Sequence, residues 1–303
     1  MQSKKIISKD LIKHIWIASR PLSLTLALYS TTLGIVIAYL RGELFSGNLQ
    51  YDLWLIFLVT VAGLIVQTGT NFINDYFECE YKHRNYQGKR YQFLGKKRPP
   101  LDILIFLLGI ACFMITGLLG LYLVYLTSSR LMIIGVIGII GGYSYTGEPI
   151  VYKKRGLGTP LSFILMGPLM VYGSYLVFSQ HFSWQPVLLS LPVSFMIPLL
   201  MLSNELRDYQ RDKKLNIRTL TVRLGYDWGK RLYLSLLLGS YLLTGLLIVK
   251  DMLPLSTLSV FLTIPLAVRS YRTVSKSEKK GVPITNKLHL SFGLITILTI
   301  IIG

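Results

Sequence analysis

Long apolar stretches follow one another through this 303-residue chain, with only short polar segments between them. A helix needs about 20 mostly apolar residues to cross the hydrocarbon core of a bilayer. Only 15% of the residues are charged, whereas about a quarter are charged in a typical soluble domain. The sequence therefore predicts an all-α membrane protein. Nine spans are predicted, approximately over residues 15–40, 53–77, 101–126, 131–145, 157–178, 187–206, 232–249, 253–268 and 288–302.

The placement of lysine and arginine tests this number of spans, because these residues accumulate in cytoplasmic loops. Of the 32 present, 29 fall in alternate loops, and only Arg41, Arg130 and Lys250 fall on the other side. This asymmetry predicts a cytoplasmic N-terminus and an external C-terminus, in a multi-pass protein of the plasma membrane. Since the charges lie in loops between apolar spans, topology and anionic membrane lipid explain the net charge of +18, and a nucleic-acid partner is not expected.

Six of the 14 acidic residues lie in two short segments, each at the predicted cytoplasmic end of an even-numbered span. Acidic side chains three or four residues apart share a helix face and repel, and a helix C-terminus disfavours them further. Such a grouping favours a bound cation, and Mg²⁺ typically takes one or two carboxylates together with substrate phosphates. The sequence therefore predicts a magnesium site. The acids are Asp75, Glu78, Glu80, Glu205, Asp208 and Asp212, and the neighbouring Asn71, Asn74 and Asn204 are candidate neutral ligands or orienting residues.

A plainer explanation is that these acids only pair with nearby basic residues. Asp208 with Lys213, or Asp212 with Arg211, would be such pairs. Pairing explains individual acids. It does not explain two matching groups of asparagine and acid at equivalent helix ends, in a chain that is otherwise poor in acids.

Basic residues also lie close to both acidic segments. They are candidates for binding a diphosphate, because charge on the leaving oxygens must be neutralised when a phosphate ester is cleaved. The bias of basic residues toward cytoplasmic loops explains any single one of them as well. Arg218 and Arg223 rank highest because they follow the second acidic segment closely. The full set is Arg84, Lys153, Lys154, Arg155, Arg207, Arg218 and Arg223.

In these motifs the chain resembles the UbiA superfamily of intramembrane aromatic prenyltransferases, whose members share nine helices around a central cavity and two acidic motifs. Glu78 stands where that family usually has Asp, and Lys82 stands where the wider superfamily has a third acid. The first motif, Asn-Asp-x-x-Asp-x-x-x-Asp, appears as Asn74, Asp75, Glu78 and Lys82, and the second, Asp-x-x-x-Asp, appears as Asp208 and Asp212 followed by Asn216.

Within the superfamily the chain is most similar to the menaquinone-pathway branch that prenylates 1,4-dihydroxy-2-naphthoate. The resemblance implies one integral-membrane prenyltransferase domain over residues 1–303, with a polyprenyl diphosphate and an aromatic acceptor as substrates. It also implies release of diphosphate and CO₂, giving demethylmenaquinone. The segment 86–100 lacks the glycine-rich stretch common in that branch, so acceptors of the 4-hydroxybenzoate or haem type stay open. The shared motifs are Arg20-Pro21, Asn71-x-x-Asn74-Asp75-Tyr76, Tyr145-Thr146-Gly147-x-Pro149, Arg155-Gly156-Leu157-Gly158, Gly167-Pro168, Asn204-x-x-Arg207-Asp208 and Arg218 to Gly225.

A mechanism follows for a site that faces the cytoplasm. Mg²⁺ ions would grip the diphosphate, and the rings of Tyr145 and Tyr76 would steady the allylic cation through their faces. The expected catalytic and Mg²⁺-binding residues are Asp75, Glu78, Asp208 and Asp212, and the expected substrate-binding residues are Asn71, Asn74, Tyr145, Lys153, Asn204, Arg207, Arg218 and Arg223.

Other classes of membrane protein fit the sequence less well. A transporter is expected to carry its ionisable residues near the bilayer midplane, whereas these acids lie at one surface. The Asp-Gly-x-x-Ala-Arg pattern of CDP-alcohol phosphotransferases is absent from the sequence. A scaffold role explains neither acidic segment.

Overall fold

A computed structural model describes residues 2–78, 89–179 and 181–303 of the chain. These residues are largely helical, as the apolar stretches predict. A short antiparallel hairpin of strands β1 (Tyr91–Phe93) and β2 (Lys96–Arg98) precedes the fourth helix. The α-helices are α1 (Gln2–Ser19), α2 (Pro21–Leu40), α3 (Leu49–Glu78), α4 (Pro100–Leu126), α5 (Arg130–Ser144), α6 (Gly158–Ile164), α7 (Met170–Leu176), α8 (Gln185–Lys214), α9 (Leu220–Leu224), α10 (Tyr226–Val249), α11 (Ile264–Ser275) and α12 (Gly281–Ile302).

Within the described residues, seven helical stretches are long and apolar enough to cross a membrane. They are α2, α3, α4, the stretch Gly158–Leu176, α8, α10 and α12. The fourth predicted span is the 15-residue helix α5, and the eighth is the 3₁₀ segment Leu255–Thr263 continued by α11. The chain is therefore a multi-pass helical membrane protein, and the total of nine spans stays a prediction.

The first predicted span, residues 15–40, is divided in the structure. The backbone of Arg20 has φ 49° and ψ 66°, which interrupts the helix between α1 and α2. Pro21 explains the position of this break, because proline fits the first turn of a helix and restricts the residue before it. Treating 15–40 as one continuous helix was therefore wrong, and Arg20 lies at a corner of the chain.

A second interruption falls within the predicted span 157–178. A π-helical turn, Leu165–Leu169, joins α6 to α7, and Gly167 has a non-helical ψ of −108°. Pro168 cannot donate the backbone hydrogen bond that a regular helix would use there. A Cβ on Gly167 would lie 2.6 Å from Ser194 Oγ, so glycine lets this kink pass close to α8.

Helix α8 runs through the middle of the packing. It is longer than the predicted span 187–206, because it continues through the second acidic segment to Lys214. It packs against α6, α10 and α12, while α3 packs along α4, and α2 packs against α7. Large apolar side chains such as Leu118, Ile133 and Leu242 stay exposed on the outside, as expected for surfaces that face lipid tails.

The contact between α2 and α7 requires a residue without a side chain. A Cβ on Gly34 would lie 2.3 Å from the carbonyl oxygen of Val171 and 2.7 Å from Cβ of Ser174. We expect Gly34→Ala to lower the free energy of unfolding by about 1–3 kcal/mol, as overpacking does. The matched change Gly120→Ala places a methyl group where no atom lies within 4 Å, so it should leave stability unchanged or raise it.

Thermal unfolding of the purified variants in detergent measures this difference. Equal unfolding temperatures for Gly34→Ala and the wild-type protein would contradict the close packing of α2 on α7.

Candidate active site

The first acidic pair lies in the last described turn of α3, beside the break between α1 and α2. Asp75 is only 1% exposed. Glu78 accepts a hydrogen bond from Arg20 Nη2 at 3.2 Å and forms an ion pair with Lys153. The Asn74 amide, with its oxygen toward Arg20, accepts from Arg20 Nη1 at 2.7 Å and donates to Glu78 Oε2 at 2.8 Å. Arg20, Asn74 and Glu78 therefore form one network.

Asn71 holds the chain break that presents Arg20. Its side-chain nitrogen donates to the backbone oxygen of Ser19 at 2.7 Å and to Ser23 Oγ at 2.8 Å. Asn71 is 3% exposed, so these bonds are made in a buried setting where an unmade bond is costly. Expected from sequence as a neutral ligand, Asn71 is here a residue that fixes the α1–α2 corner.

The second acidic pair lies in the last two turns of α8. Asp208 accepts from Arg207 at 2.7 Å and from Arg211 at 3.1 Å, and Asp212 accepts from Arg211 at 3.0 Å. The ion pair expected between Asp212 and Arg211 is therefore present, whereas Asp208 pairs with arginines instead of Lys213. The basic residues of the last turn also offset the unfavourable position of acids at a helix C-terminus.

Lys153 interacts with one acid of each pair. It lies in a short 3₁₀ segment, Tyr152–Arg155, between α5 and α6. Besides its ion pair with Glu78, it is close enough to Asp212 to interact with it electrostatically, and Arg211 interacts with Glu78 in the same way. Burial lowers the pKa of Lys153, but the neighbouring Tyr145 and Glu78 outweigh burial and raise it above its ordinary value. Lys153 is therefore a cation at neutral pH.

Glu205, the remaining described acid of the second segment, holds neighbouring segments of the chain together. Its carboxylate is buried and accepts from Thr159 Oγ1 at 2.9 Å and from the backbone N–H of Thr221 at 3.0 Å. These bonds tie α6 and α9 to α8. Glu205 therefore supports the site by positioning the segments on either side of it.

Among residues 2–78, 89–179 and 181–303, no three His, Cys, Asp or Glu side chains come together as a preformed metal cage. The acids instead lie as one pair on α3 and one pair on α8. This arrangement fits Mg²⁺, which usually takes one or two carboxylates and completes its shell with phosphate oxygens and water.

Two neighbouring cavities lie beside the site. The first, about 110 Å³, is called the polar chamber because Arg20, Asn71 and Asn74 line one part of it, while the rest of its lining includes apolar side chains such as Met166 and Met201. The apolar chamber, about 370 Å³, lies among α3, α4, α5 and α7 and is lined by glycine and aliphatic side chains. The two chambers share four lining residues, which are Val66, Gly138, Leu165 and Met170. A molecule with a charged head and an apolar tail would fit this succession.

The two tyrosines singled out from the sequence lie in different surroundings. Tyr145 lines the polar chamber, and the ammonium of Lys153 lies 5.3 Å from its ring centroid. Tyr76 is 2% exposed and packs against Phe93 and Phe106, outside the residues that line the polar chamber. The structure thus favours Tyr145 alone as the ring that faces a bound molecule.

Three other expected substrate-binding residues lie at the margin of the site. Asn204 donates to the Leu200 backbone oxygen of its own helix at 2.9 Å. Arg218 and Arg223 are exposed on the rim, where Arg223 packs against Gly156 of the turn that follows Lys153. Glu80, Lys82 and Arg84, also named from the sequence, lie outside the described residues.

Arg20 was missed as a site residue in the sequence analysis. It appeared only as part of the Arg20-Pro21 motif, within a span taken to be continuous. The signal that could have found it was Pro21, because a proline that starts a helix makes the preceding residue a corner whose side chain can turn toward another element.

Comparisons with known proteins identify the family of the chain. The UbiA prenyltransferase family matches residues 27–292, so the chain belongs to this family and is a prenyltransferase. It is 28% identical over 267 residues to the 1,4-dihydroxy-2-naphthoate octaprenyltransferase of Bacillus subtilis, covering 87% of this chain and 83% of that protein. It is 26% identical over 277 residues to the 2-carboxy-1,4-naphthoquinone phytyltransferase of Synechocystis sp., covering 90% and 87%.

A solved structure has the same fold. The UbiA homologue from Archaeoglobus fulgidus bound to DMAPP and Mg²⁺ superposes with a TM-score of 0.57 at 14% identity, covering 92% of this chain and 97% of that one. A UbiA protein of this fold thus binds a prenyl diphosphate together with Mg²⁺.

Replacing Arg20 tests the α1–α2 corner. Hydrogen bonds to charged groups contribute about 1.5–3 kcal/mol, so we expect Arg20→Gln to lower the kcat/KM of prenyl transfer by roughly 10- to 150-fold. Lys13→Gln removes an exposed cation from the same region and should leave kcat/KM within twofold of wild type. Equal activity of Arg20→Gln and wild-type membranes would contradict a role for Arg20 in the site.

Glu205 provides a separate test, of stability. Glu205→Ala leaves the Thr221 amide and the Thr159 hydroxyl without their partner, and each unsatisfied group costs about 1–3 kcal/mol. We expect a clearly lower unfolding temperature in detergent, while Glu278→Ala, which removes an exposed acid, changes it little. An unchanged temperature for Glu205→Ala would show that the carboxylate does not hold α6 and α9 to α8.

Proposed function

We propose that the protein transfers a polyprenyl chain from polyprenyl diphosphate to 1,4-dihydroxy-2-naphthoate in a Mg²⁺-dependent reaction that gives the quinol form of demethylmenaquinone. The single observation that carries the proposal is that Glu78 on α3 and Asp212 on α8 both interact with Lys153, beside Arg20, which pairs with Glu78 and lines a chamber next to an apolar one. This arrangement matches a substrate with a diphosphate head and a hydrocarbon tail.

The head of the substrate lies at the two acidic pairs in this proposal. Asp75 and Glu78 on α3, and Asp208 and Asp212 on α8, hold Mg²⁺ together with the diphosphate oxygens. The metal, when bound, neutralises negative charge on the departing diphosphate. Glu78, Asp208 and Asp212 form ion pairs with arginine or lysine side chains, and these cations can turn to phosphate oxygens when the metal takes the carboxylates. The cations are Arg20, Lys153, Arg207 and Arg211.

The tail extends into the apolar chamber, whose lining excludes water from the reacting carbon. Exclusion matters because water would otherwise capture the allylic cation that forms when the C–O bond to diphosphate breaks. The ring of Tyr145, which lines the polar chamber, stabilises that cation through its face. An electron pair of the acceptor ring then forms the new C–C bond.

The acceptor enters the polar chamber. The naphthoate is favoured because two relatives of this chain carry names that specify naphthalene-ring acceptors. With this acceptor the carboxylate carbon leaves as CO₂ and its bonding electrons return to the ring, so no separate base is needed. Acceptors of the 4-hydroxybenzoate or haem type are the alternatives to test against it.

The proposed topology follows from the sequence. One integral-membrane domain over residues 1–303 crosses the plasma membrane nine times, with a cytoplasmic N-terminus and the site facing the cytoplasm. Three parts of the chain lie close together: the break at Arg20, Lys153 after α5, and the end of α8. The proposed topology puts all three on the cytoplasmic side of the membrane, which carries the basic loops.

Neutralising the acids tests the metal proposal. We expect Asp75→Asn, Glu78→Gln, Asp208→Asn and Asp212→Asn each to reduce prenyl transfer at least 100-fold at fixed Mg²⁺, because each removes a metal ligand. Asp227→Asn is the matched control, since Asp227 is 77% exposed and pairs with Lys230 on its own helix. Wild-type activity in Asp208→Asn membranes would remove the metal-site proposal.

The acceptor is tested by its product. Membranes containing the protein are incubated with Mg²⁺, a polyprenyl diphosphate and either 1,4-dihydroxy-2-naphthoate or 4-hydroxybenzoate, and the lipid product is identified by mass spectrometry. We expect a prenylated naphthalene product whose mass shows loss of CO₂. A product formed only from 4-hydroxybenzoate would contradict the proposed acceptor while leaving the prenyltransferase assignment intact.

A further inference from the structure

Helix α11 has two faces of opposite character. Ala267 and Ser270 are buried against the rest of the bundle. Arg269 and Arg272 lie three residues apart on the opposite face, Lys276 follows directly after the last residue of the helix, and all three are exposed. The basic residues therefore form one stripe, whereas a helix surface that only contacts water does not need its basic residues to be clustered.

This stripe borders a cavity of about 230 Å³ that is separate from both chambers of the active site. One acid accompanies three basic residues there, leaving a net charge of +2 at neutral pH. Within the described residues, none of the three basic side chains forms an ion pair with a carboxylate. The lining residues are Pro265, Val268, Arg269, Arg272, Thr273, Lys276 and Glu278.

The C-terminal end of α11, where Lys276 lies, is at the same end of the bundle as the acidic pairs. Tyr226 Oη donates to the Ser275 backbone oxygen at 3.1 Å, and Ser277 Oγ donates to the Leu206 backbone oxygen at 3.2 Å. Leu206 lies within the second acidic segment on α8, two residues before Asp208. By the placement of basic loops, this is where the lipid headgroups of one leaflet lie.

Exposed apolar side chains lie on α11 and just before it. Val268, which precedes Arg269, is 43% exposed, and Leu262, in the 3₁₀ segment that leads into the helix, is 78% exposed. Exposed aliphatic side chains on a membrane helix lie against lipid tails. A ligand at this surface would therefore meet cations at one end and hydrocarbon at the other.

We propose that the cavity on α11 is a binding site for one anionic phospholipid. Arg269, Arg272 and Lys276 bind its phosphate, and its acyl chain lies along Leu262 and Val268. Basic pockets at the headgroup level of membrane proteins favour anionic lipids, and each basic residue near such a surface contributes roughly fivefold in affinity. A free anion would gain nothing from the apolar half of the site. The proposal depends only on membrane insertion and not on the acceptor or the metal.

The test measures lipid binding to the full-length protein purified in a nonionic detergent. Native mass spectrometry is used to titrate phosphatidylglycerol and phosphatidylcholine of equal chain length, with sodium phosphate as a competitor. The variants are Arg269→Gln/Arg272→Gln/Lys276→Gln and a matched control, Lys279→Gln/Lys280→Gln/Lys287→Gln, which removes three charges that do not line the cavity.

We expect wild-type protein to bind phosphatidylglycerol at least tenfold more tightly than phosphatidylcholine. The α11 variant should lose at least tenfold in affinity for phosphatidylglycerol, the control variant should stay within twofold, and sodium phosphate should not compete. Equal affinity for the two lipids, equal losses in both variants, or competition by sodium phosphate would each overturn the proposal. If the triple variant does not fold, Arg272→Gln alone should weaken phosphatidylglycerol binding by roughly fivefold, and an unchanged affinity would overturn the proposal as well.

Discussion

The ion pair between Lys153 and Glu78 joins parts of the chain that are far apart in sequence. Glu78 ends the described part of α3, while Lys153 lies in the turn between α5 and α6 and also interacts with Asp212 on α8. Because the carboxylates on α3 and α8 repel each other, cations between them are needed for the two helix ends to lie close together. Removing one partner of a partly buried pair leaves an uncompensated charge, so the site and the packing of these helices depend on each other.

The two chambers beside the site extend the same division of polarity. Arg20 and amide groups line part of the polar chamber, and glycine and aliphatic residues line the apolar chamber beside it. Two interruptions of the helices contribute to this shape. The corner at Arg20 turns a cation toward Glu78, and the π-helical turn at Gly167 and Pro168 lies on the stretch that contributes Leu165 and Met170 to both chambers. Proline and glycine are therefore placed where the chain must depart from a regular helix.

Much of the fold could be predicted from hydropathy, because a membrane span leaves a long apolar stretch in the sequence. Departures from regular helix could not be located in this way. The corner at Arg20, the kink at Gly167 and the 3₁₀ segment Leu255–Thr263 all lie within apolar stretches, and hydropathy does not distinguish their backbone geometry. The end of α8 was placed too early because its last turns are polar and extend beyond the apolar stretch.

The acidic pairs of the site could be located from spacing and from their rarity in the chain. Spacing did not reveal which asparagine serves the backbone, as Asn71 does at Ser19, or which acid is structural, as Glu205 is between Thr159 and Thr221. These distinctions depend on partners from other helices, which a single sequence does not provide. Arg20 was missed for the same reason, since its partners Asn74 and Glu78 lie on a different helix.

In the proposed site, α3 and α8 each supply carboxylates to the same diphosphate-bound metal. Electron paramagnetic resonance of Mn²⁺, a spectroscopic substitute for Mg²⁺, measures metal binding to the purified protein with an unreactive polyprenyl diphosphate analogue. We expect tight Mn²⁺ binding that needs the analogue and is lost in both Asp75→Asn and Asp208→Asn. Tight, analogue-dependent Mn²⁺ binding that survives in either variant would contradict a metal site shared by the two helices.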